Sequence, residues 1–195
     1  ETYKPSPSFV SIHLGIKKDL IEKDFNCHHI IVENWNELES EKGVIFVSIP
    51  TLLDSSLAPK GKHIVHAFTP SSMNEWEGLS RKDYLKKKEQ YFSFLIKKIS
   101  TIIPNLENNI DHKEIGTPKT HKKFLGRYEG SYGPIPSKKL LGLLPMPFNT
   151  TKVKNRYCVG DSCFPGQGLN AVAFSGYACA HKIGAKLNIN SFKLP

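Results

Sequence analysis

Apolar and polar side chains alternate along residues 8–17, where Phe9, Ile12, Leu14 and Ile16 stand against Ser8, Ser11, His13 and Lys17. A period of two is the signature of a half-buried strand, with Val10 and Gly15 breaking strict alternation. Residues 28–33, His-His-Ile-Ile-Val-Glu, predict a second strand. Residues 43–49 predict a third, rich in β-branched side chains and stopped by Pro50. Residues 62–69 predict a fourth, bounded by Pro59, Gly61 and Pro70. Four consecutive strands joined by loops imply an antiparallel or mixed sheet.

The period then lengthens. Tyr84, Tyr91, Leu95, Ile99 and Ile102 recur at helical spacing and stop before Pro104. Ser80 is placed to cap this helix, Asp83 to reach back as in a capping box, and Leu79 to staple onto Tyr84. A second start follows at 117–126, with Thr117 as cap and Pro118 at the first helical position, where its missing N–H costs nothing. Residues 127–155 lose periodicity and fill with Gly and Pro. The aromatics Tyr128, Tyr132 and Phe148, and the run Leu140-Leu141-Gly142-Leu143-Leu144, point to a packed loop over a disordered linker. Arg156–Gly160 predicts a short buried strand, running through a Gly-rich turn into a helix from about Leu169 to Leu187. Ala173, Gly176, Ala180 and Gly184 make a small-residue stripe on that helix, suited to close approach of another backbone.

Composition narrows the classes. Hydrophobic residues at 39% and charged residues at 23% describe a globular domain. No apolar run reaches the ~18 residues of a spanning helix. The first residue is Glu1, so either a targeting segment has been removed or the chain begins within a longer protein. The net charge of +9 concentrates at Lys86-Lys87-Lys88 and Lys97-Lys98, on what is expected to be a solvated helix face, with attraction to an anionic membrane as the alternative. No nucleic-acid motif accompanies the charge, so nucleic acid is not an expected partner. Cys27, Cys158, Cys163 and Cys179 form no C-x-x-C pair and are expected as reduced thiols. Asn149-Thr150-Thr151 is a formal glycosylation sequon with nothing else favouring secretion. His13, His28, His29, His63, His66 and His121 lack ligand spacing, and His63 and His66 fall on opposite faces of one strand, so no metal is expected. Ser162 lies outside G-x-S-x-G, which leaves a hydrolase unsupported.

The chemistry concentrates at residues 160–171. A strand, a Gly-rich turn and a helix N-terminus make an anion or cofactor cradle, because free N–H groups converge there and the helix dipole adds roughly half a positive charge. Gly166-x-Gly168-x-x-Ala171 fits a dinucleotide-binding pattern. It is not a first βαβ unit: Gly166 comes six residues after Gly160 closes the expected strand, and no acid follows Asp161 to hold a ribose.

The whole string 157–181, Tyr-Cys-Val-Gly-Asp-Ser-Cys-Phe-Pro-Gly-Gln-Gly-Leu-Asn-Ala-Val-Ala-Phe-Ser-Gly-Tyr-Ala-Cys-Ala-His, resembles the C-terminal flavin motif of the carotenoid (prolycopene) isomerases, relatives of the phytoene desaturases. Phe46–Pro50, His63–His66, Trp76–Ser80, Gly116–His121, Tyr132–Pro134 and Met146–Thr151 are similar to the same family in the same order. The resemblance implies an α/β (α+β) chain. Residues 1–150 would form the C-terminal part of a substrate domain, with a mixed sheet, helices and a flavin-proximal loop. Residues 151–195 would supply the C-terminal strand, turn and helix of an FAD-binding, Rossmann-like domain whose N-terminal segment is expected to be missing here.

It further implies that Asp161 accepts from the ribityl hydroxyls of FAD and that Gly160 lets the chain approach the cofactor. Gly166, Gly168, Leu169, Asn170 and Ala171 would face the N1/C2=O edge, where reduced flavin carries negative charge. The Thr117-Pro118 helix and the Tyr132-Gly133 loop are expected near the flavin, lining a polyene tunnel. The implied activity is cis-to-trans isomerisation of poly-cis carotenoids such as prolycopene with reduced FAD, in a plastid (chloroplast), in the stroma or in peripheral contact with a membrane. Desaturation or saturation of a carotenoid, or a non-catalytic subunit that has lost FAD, are the alternatives on the same scaffold. An N-terminal FAD-binding segment or chain is the expected partner, and no catalytic acid or base is assigned.

Overall fold

The computed structural model describes residues 3–38, 40–136 and 146–189. Its strands are β1 (Tyr3–Pro5), β2 (Ser8–Lys17), β3 (His28–Val32), β4 (Val44–Ser48), β5 (Lys62–Ser71), β6 (Ile110–Gly116) and β7 (Pro134–Pro136), and its helices are α1 (Arg81–Ile99), α2 (Pro118–Leu125) and α3 (Leu169–Lys186). The chain divides into two compact units, one of Pro7–Gly130 and one of Glu1–Ser6 with Ser131–Pro195.

The first unit is a five-stranded sheet of order β3-β4-β5-β2-β6, antiparallel at every pairing, with α1 and α2. The four expected strands are all present. On β2, however, the buried face is Val10, Ile12, Leu14 and Ile16, so Val10 belongs to the alternation and Phe9 does not. The pleat decides this: even-numbered positions share one face, and Phe9 turns to the other with His13. β6 lacks an alternating pattern and was not expected. It forms the sheet's edge against β2, where its Asp-His-Lys-Glu centre remains solvated. Charge on an edge strand discourages further pairing.

α1 lays Tyr91, Phe92, Leu95, Ile96 and Ile99 into the core with Val65, Ala67 and Trp76. Each fully buried aliphatic of this kind contributes about 1.5–3 kcal/mol relative to exposure. The Ser80 hydroxyl accepts from the Asp83 backbone N–H at 3.1 Å, as a cap should. The Asp83 carboxylate accepts from that same hydroxyl at 2.6 Å, in place of the expected return bond to the backbone. α2 carries a full capping box between Thr117 and Thr120 and ends at Gly126, whose φ of 63° favours glycine. A buried polar knot ties β5 to α1: the Trp76 indole N–H donates to Ser71 Oγ at 2.9 Å, and Tyr91 Oη lies 3.1 Å from the same oxygen and donates to Glu41.

In the second unit β1 pairs antiparallel with β7, anchored by the Ser6 N–H donating to Gly133 O at 3.0 Å. The expected strand at 156–160 is not formed. Only an isolated bridge joins Tyr157 to Thr150, and Val159 is 52% exposed. A short apolar strand needs neighbours to accept its ladder, and no strand among the described residues lies beside it. The small-residue stripe also differs from expectation. α3 buries Ser175, Cys179 and Gly184, while Ala173 is exposed and a Cβ on Gly176 would meet open space. The leucine run at 140–144 lies outside the described residues.

Candidate functional site: the Gly160–Ala171 turn

The site begins with a buried amide. The Asn149 side-chain NH2 donates to Cys158 O (3.0 Å), Ser175 O (3.2 Å) and Ser175 Oγ (3.1 Å). The Asn149 backbone carbonyl accepts from the Cys158 N–H at 2.9 Å. Ser175, fully buried on α3, also accepts at Oγ from the Gly160 N–H at 3.3 Å. One Asn and one Ser therefore fix the incoming chain, the turn and the helix to one another. Neither was among the expected site residues. The available signal was Asn149's place in the Met146–Thr151 string, since nothing local marks a polar pair 26 residues apart.

Past this anchor, Gly160 takes φ 112°, a conformation that strains any residue with a Cβ. It turns the chain so that Asp161 packs against Gly133, where a Cβ would approach Asp161 O to 3.3 Å. The Tyr132-Gly133 loop is thus brought to Asp161. The α2 helix lies in the other unit. The Asp161 carboxylate accepts from Ser162 Oγ at 3.3 Å. The turn closes with Cys163 N–H to Gly160 O at 3.2 Å and Phe164 N–H to Pro147 O at 2.8 Å, followed by a cis Phe164–Pro165 bond.

Gly166 and Gly168, at φ 114° and 98°, lead into α3. Gly168 caps the helix without a side-chain bond, and the first intrahelical donor is Val172, to Gly168 O at 2.9 Å. The amides of Leu169, Asn170 and Ala171 consequently have no acceptor among the described residues. A Cβ on Gly160 or Gly168 would meet nothing within 4 Å. Backbone without side chains, unpaired N–H groups and the positive end of a helix make a surface open to an anionic or carbonyl-bearing ligand. All seven expected residues lie along this one turn.

Thiols stand beside the turn. Cys163 is buried, and its thiol is pushed up to about 11, first by burial and then by neighbouring Cys158, with smaller contributions from Cys179 and Asp161. Its Sγ donates to Cys158 O at 3.3 Å. All four cysteines are free, and no cluster of His, Cys, Asp or Glu among the described residues is arranged to hold a metal. His63 and His66 point to opposite sheet faces, His63 bonding Thr51 Oγ1 at 2.8 Å and His66 lying 4.7 Å from the His13 ring.

No family model matches the chain. It is 54% identical over 189 residues to a protein of Daucus carota named prolycopene isomerase, chloroplastic, a match covering 96% of this chain and 31% of that protein. The Arabidopsis thaliana protein of the same name is 51% identical over 191 residues, covering 97% and 32%. Along nearly its whole length the chain is similar to the carotenoid isomerases. It spans about a third of the length of these relatives. A more distant relative, the 4,4'-diapolycopen-4-al dehydrogenase of Metabacillus indicus, is 28% identical over 87% of this chain and 35% of its own length. Among solved structures, an oxidoreductase of Methanosarcina mazei shares the fold at a TM-score of 0.52 and 15% identity, over 91% of this chain and 35% of that one.

Proposed function

We propose that this chain is the substrate-binding and flavin-closing portion of a plastid enzyme that converts poly-cis carotenoids such as prolycopene to their trans isomers. The observation that carries the reading is the match to chloroplastic prolycopene isomerases at 54% identity along 96% of the chain. In this reading residues 1–150 belong to the substrate domain and 151–195 to the FAD domain, completed by an N-terminal FAD-binding segment.

The turn suits that cofactor. Asp161, oriented by the Gly160 turn, would accept from ribityl hydroxyls, and the N–H groups of Leu169, Asn170 and Ala171 would meet the electron-rich edge of the ring. Gly166 and Gly168 would keep Cβ atoms out of its path. Bound FAD in its reduced form supplies the isomerisation chemistry, which carries no net redox change. The chain's own contribution is placement: donors fixed by the Asn149–Ser175 anchor stabilise negative charge on the ligand without reorganising.

In the other unit, the sheet face away from α1 carries Phe46 stacked on Phe68 (centroids 4.9 Å), Phe9 edge-on to Phe68 (5.6 Å) and His121 stacked on Phe9 (4.0 Å). Such an aromatic row is a fitting floor for a planar polyene. Delivery of so apolar a substrate implies peripheral contact with a membrane.

The relatives named as a dehydrogenase and as 4,4'-diapolycopene oxygenase favour a second reading, redox chemistry on a carotenoid. The two are separated by incubating the full-length protein and reduced FAD with a poly-cis carotene. Isomerisation gives products of unchanged mass and altered chromatographic mobility. Products lighter by two hydrogens, or gaining oxygen, would sink the first reading.

A further inference from the structure

On the Pro7–Gly130 unit, the first turns of α1 and the length of α2 border a groove of about 480 Å³. Four cations line it: Arg81 and Lys88 from α1, Lys119 and Lys123 from α2. No carboxylate lines it, and among the described residues none of the four cations is in an ion pair. Arg81 and Lys119 instead flank the Tyr84 ring at 5.8 and 5.7 Å, and Lys123 lies 5.3 Å from the Phe124 ring. Large apolar side chains stand beside these charges. Leu85 is 46% exposed, Phe124 73% and Leu125 63%.

We propose that this groove and the Phe124-Leu125 tip of α2 form a docking surface for an anionic lipid bilayer, the four cations meeting headgroup phosphates while Phe124 and Leu125 enter the acyl boundary. The assignment rests on the polyene reading above for its purpose, since a substrate dissolved in lipid must be collected from lipid. Its physical basis is independent of that. Cations lacking acidic partners are complementary to anionic headgroups. Phosphates of a nucleic acid would satisfy the same charges but offer nothing to two protruding apolar side chains. A surface of mixed bases, aromatics and aliphatics is what an interfacial element presents.

The test is co-sedimentation of the purified full chain with vesicles of phosphatidylcholine alone and of phosphatidylcholine mixed with phosphatidylglycerol. Binding to the mixed vesicles, weakened by added salt, is expected. Replacing both Lys119→Gln and Lys123→Gln should lower partition into mixed vesicles by roughly 30-fold, at about fivefold per charge. Phe124→Ser with Leu125→Ser should lower binding to both vesicle types and leave the charge preference. Lys17→Gln with Lys60→Gln removes the same charge from exposed sites elsewhere and should change partition less than about threefold. Equal loss in that control would overturn the proposal, because net charge alone would then explain binding. So would wild-type binding by the Lys119/Lys123 pair, or a dimer that this pair dissolves without any vesicle binding, which would give the face to a second copy. Polyene isomerisation in detergent, read on the full-length protein with reduced FAD and carrying the same substitutions, separates the two ideas. Activity without vesicle binding sinks the docking surface alone, and binding without activity sinks the isomerase reading alone.

Discussion

Asn149 and Ser175 make the sharpest test of how the turn is built. Asn149→Ala deletes two buried N–H donors shared over three acceptors and leaves the part-buried Cys158 carbonyl with only the weak Cys163 thiol as side-chain donor. Ser175 O retains the helix and Ser175 Oγ retains Gly160, so the loss is short of three full bonds. At about 0.5–1.5 kcal/mol net per bond, the cost is about 1–3 kcal/mol. Ser175→Ala strands the Gly160 N–H and removes one of the three acceptors of Asn149, for about 1–2 kcal/mol. The two changes share the Asn149–Ser175 bond, so the double variant should fall short of the sum by about 0.5–1.5 kcal/mol.

Tryptophan fluorescence cannot read this unit, because Trp35 and Trp76 both lie in the other one. Hydrogen exchange of peptides covering residues 157–186 can. Where exchange follows local opening, 1–3 kcal/mol is roughly a 5- to 160-fold faster rate in Asn149→Ala. The urea midpoint of the Trp76 signal should stay at its wild-type value. Exchange within threefold of wild type in Asn149→Ala would refute the reasoning, since the amide would then not be what holds the turn.

Three further outcomes follow from the same structure. Asp161→Ala should weaken FAD binding by about tenfold in fluorescence titration, the equivalent of one charge-assisted hydrogen bond, with α3 exchange unchanged; undiminished affinity would remove Asp161 from the cofactor. His63 and His66 are held below the ordinary histidine range, mainly by burial, aided by Lys18 and by His13 respectively, and His121 is lowered mainly by burial. A lowered value means the unfolded chain protonates first. Stability of the Pro7–Gly130 unit is then full above pH ~6.5 and is lost as pH falls below it, seen as a lower urea midpoint by Trp76 fluorescence at pH 5.5 than at 7.5 and a shallower fall in His66→Gln. The raised Cys163 thiol works in the alkaline direction: its contribution is full below the unfolded value near 9.0 and is lost as pH rises toward about 11. At pH 8 iodoacetamide should label exposed Cys158 well before Cys163 in mass spectra, and equal rates would contradict the burial of that thiol.

What the sequence disclosed and what it withheld have separate physical causes. β2 and β5 were legible because one face of each is buried, which forces a period of two, and because Gly and Pro punctuate their ends. α1 and α2 were legible because Ser80 and Thr117-Pro118 are chemically marked starts. β6 was not, because an edge strand with a single neighbour has no buried face to write into its residues, and Ile110 and Ile115 alone frame a charged centre. The apolar run Tyr157-Cys158-Val159 misled for the converse reason: it has the composition of a central strand, while the ladder that would make it one is supplied by neighbours and not by its own side chains. The cradle divides in the same way. Gly160, Gly166 and Gly168 were visible since positive φ selects glycine and glycine can be seen in a sequence. The Asn149–Ser175 anchor was hidden since a buried polar pair has no period and no fixed spacing. A turn that presents bare backbone to a ligand has no side chains there with which to hold its own shape. The rigidity must come from behind it, so the residues that set the donors' positions are expected one layer away from the motif that announces them.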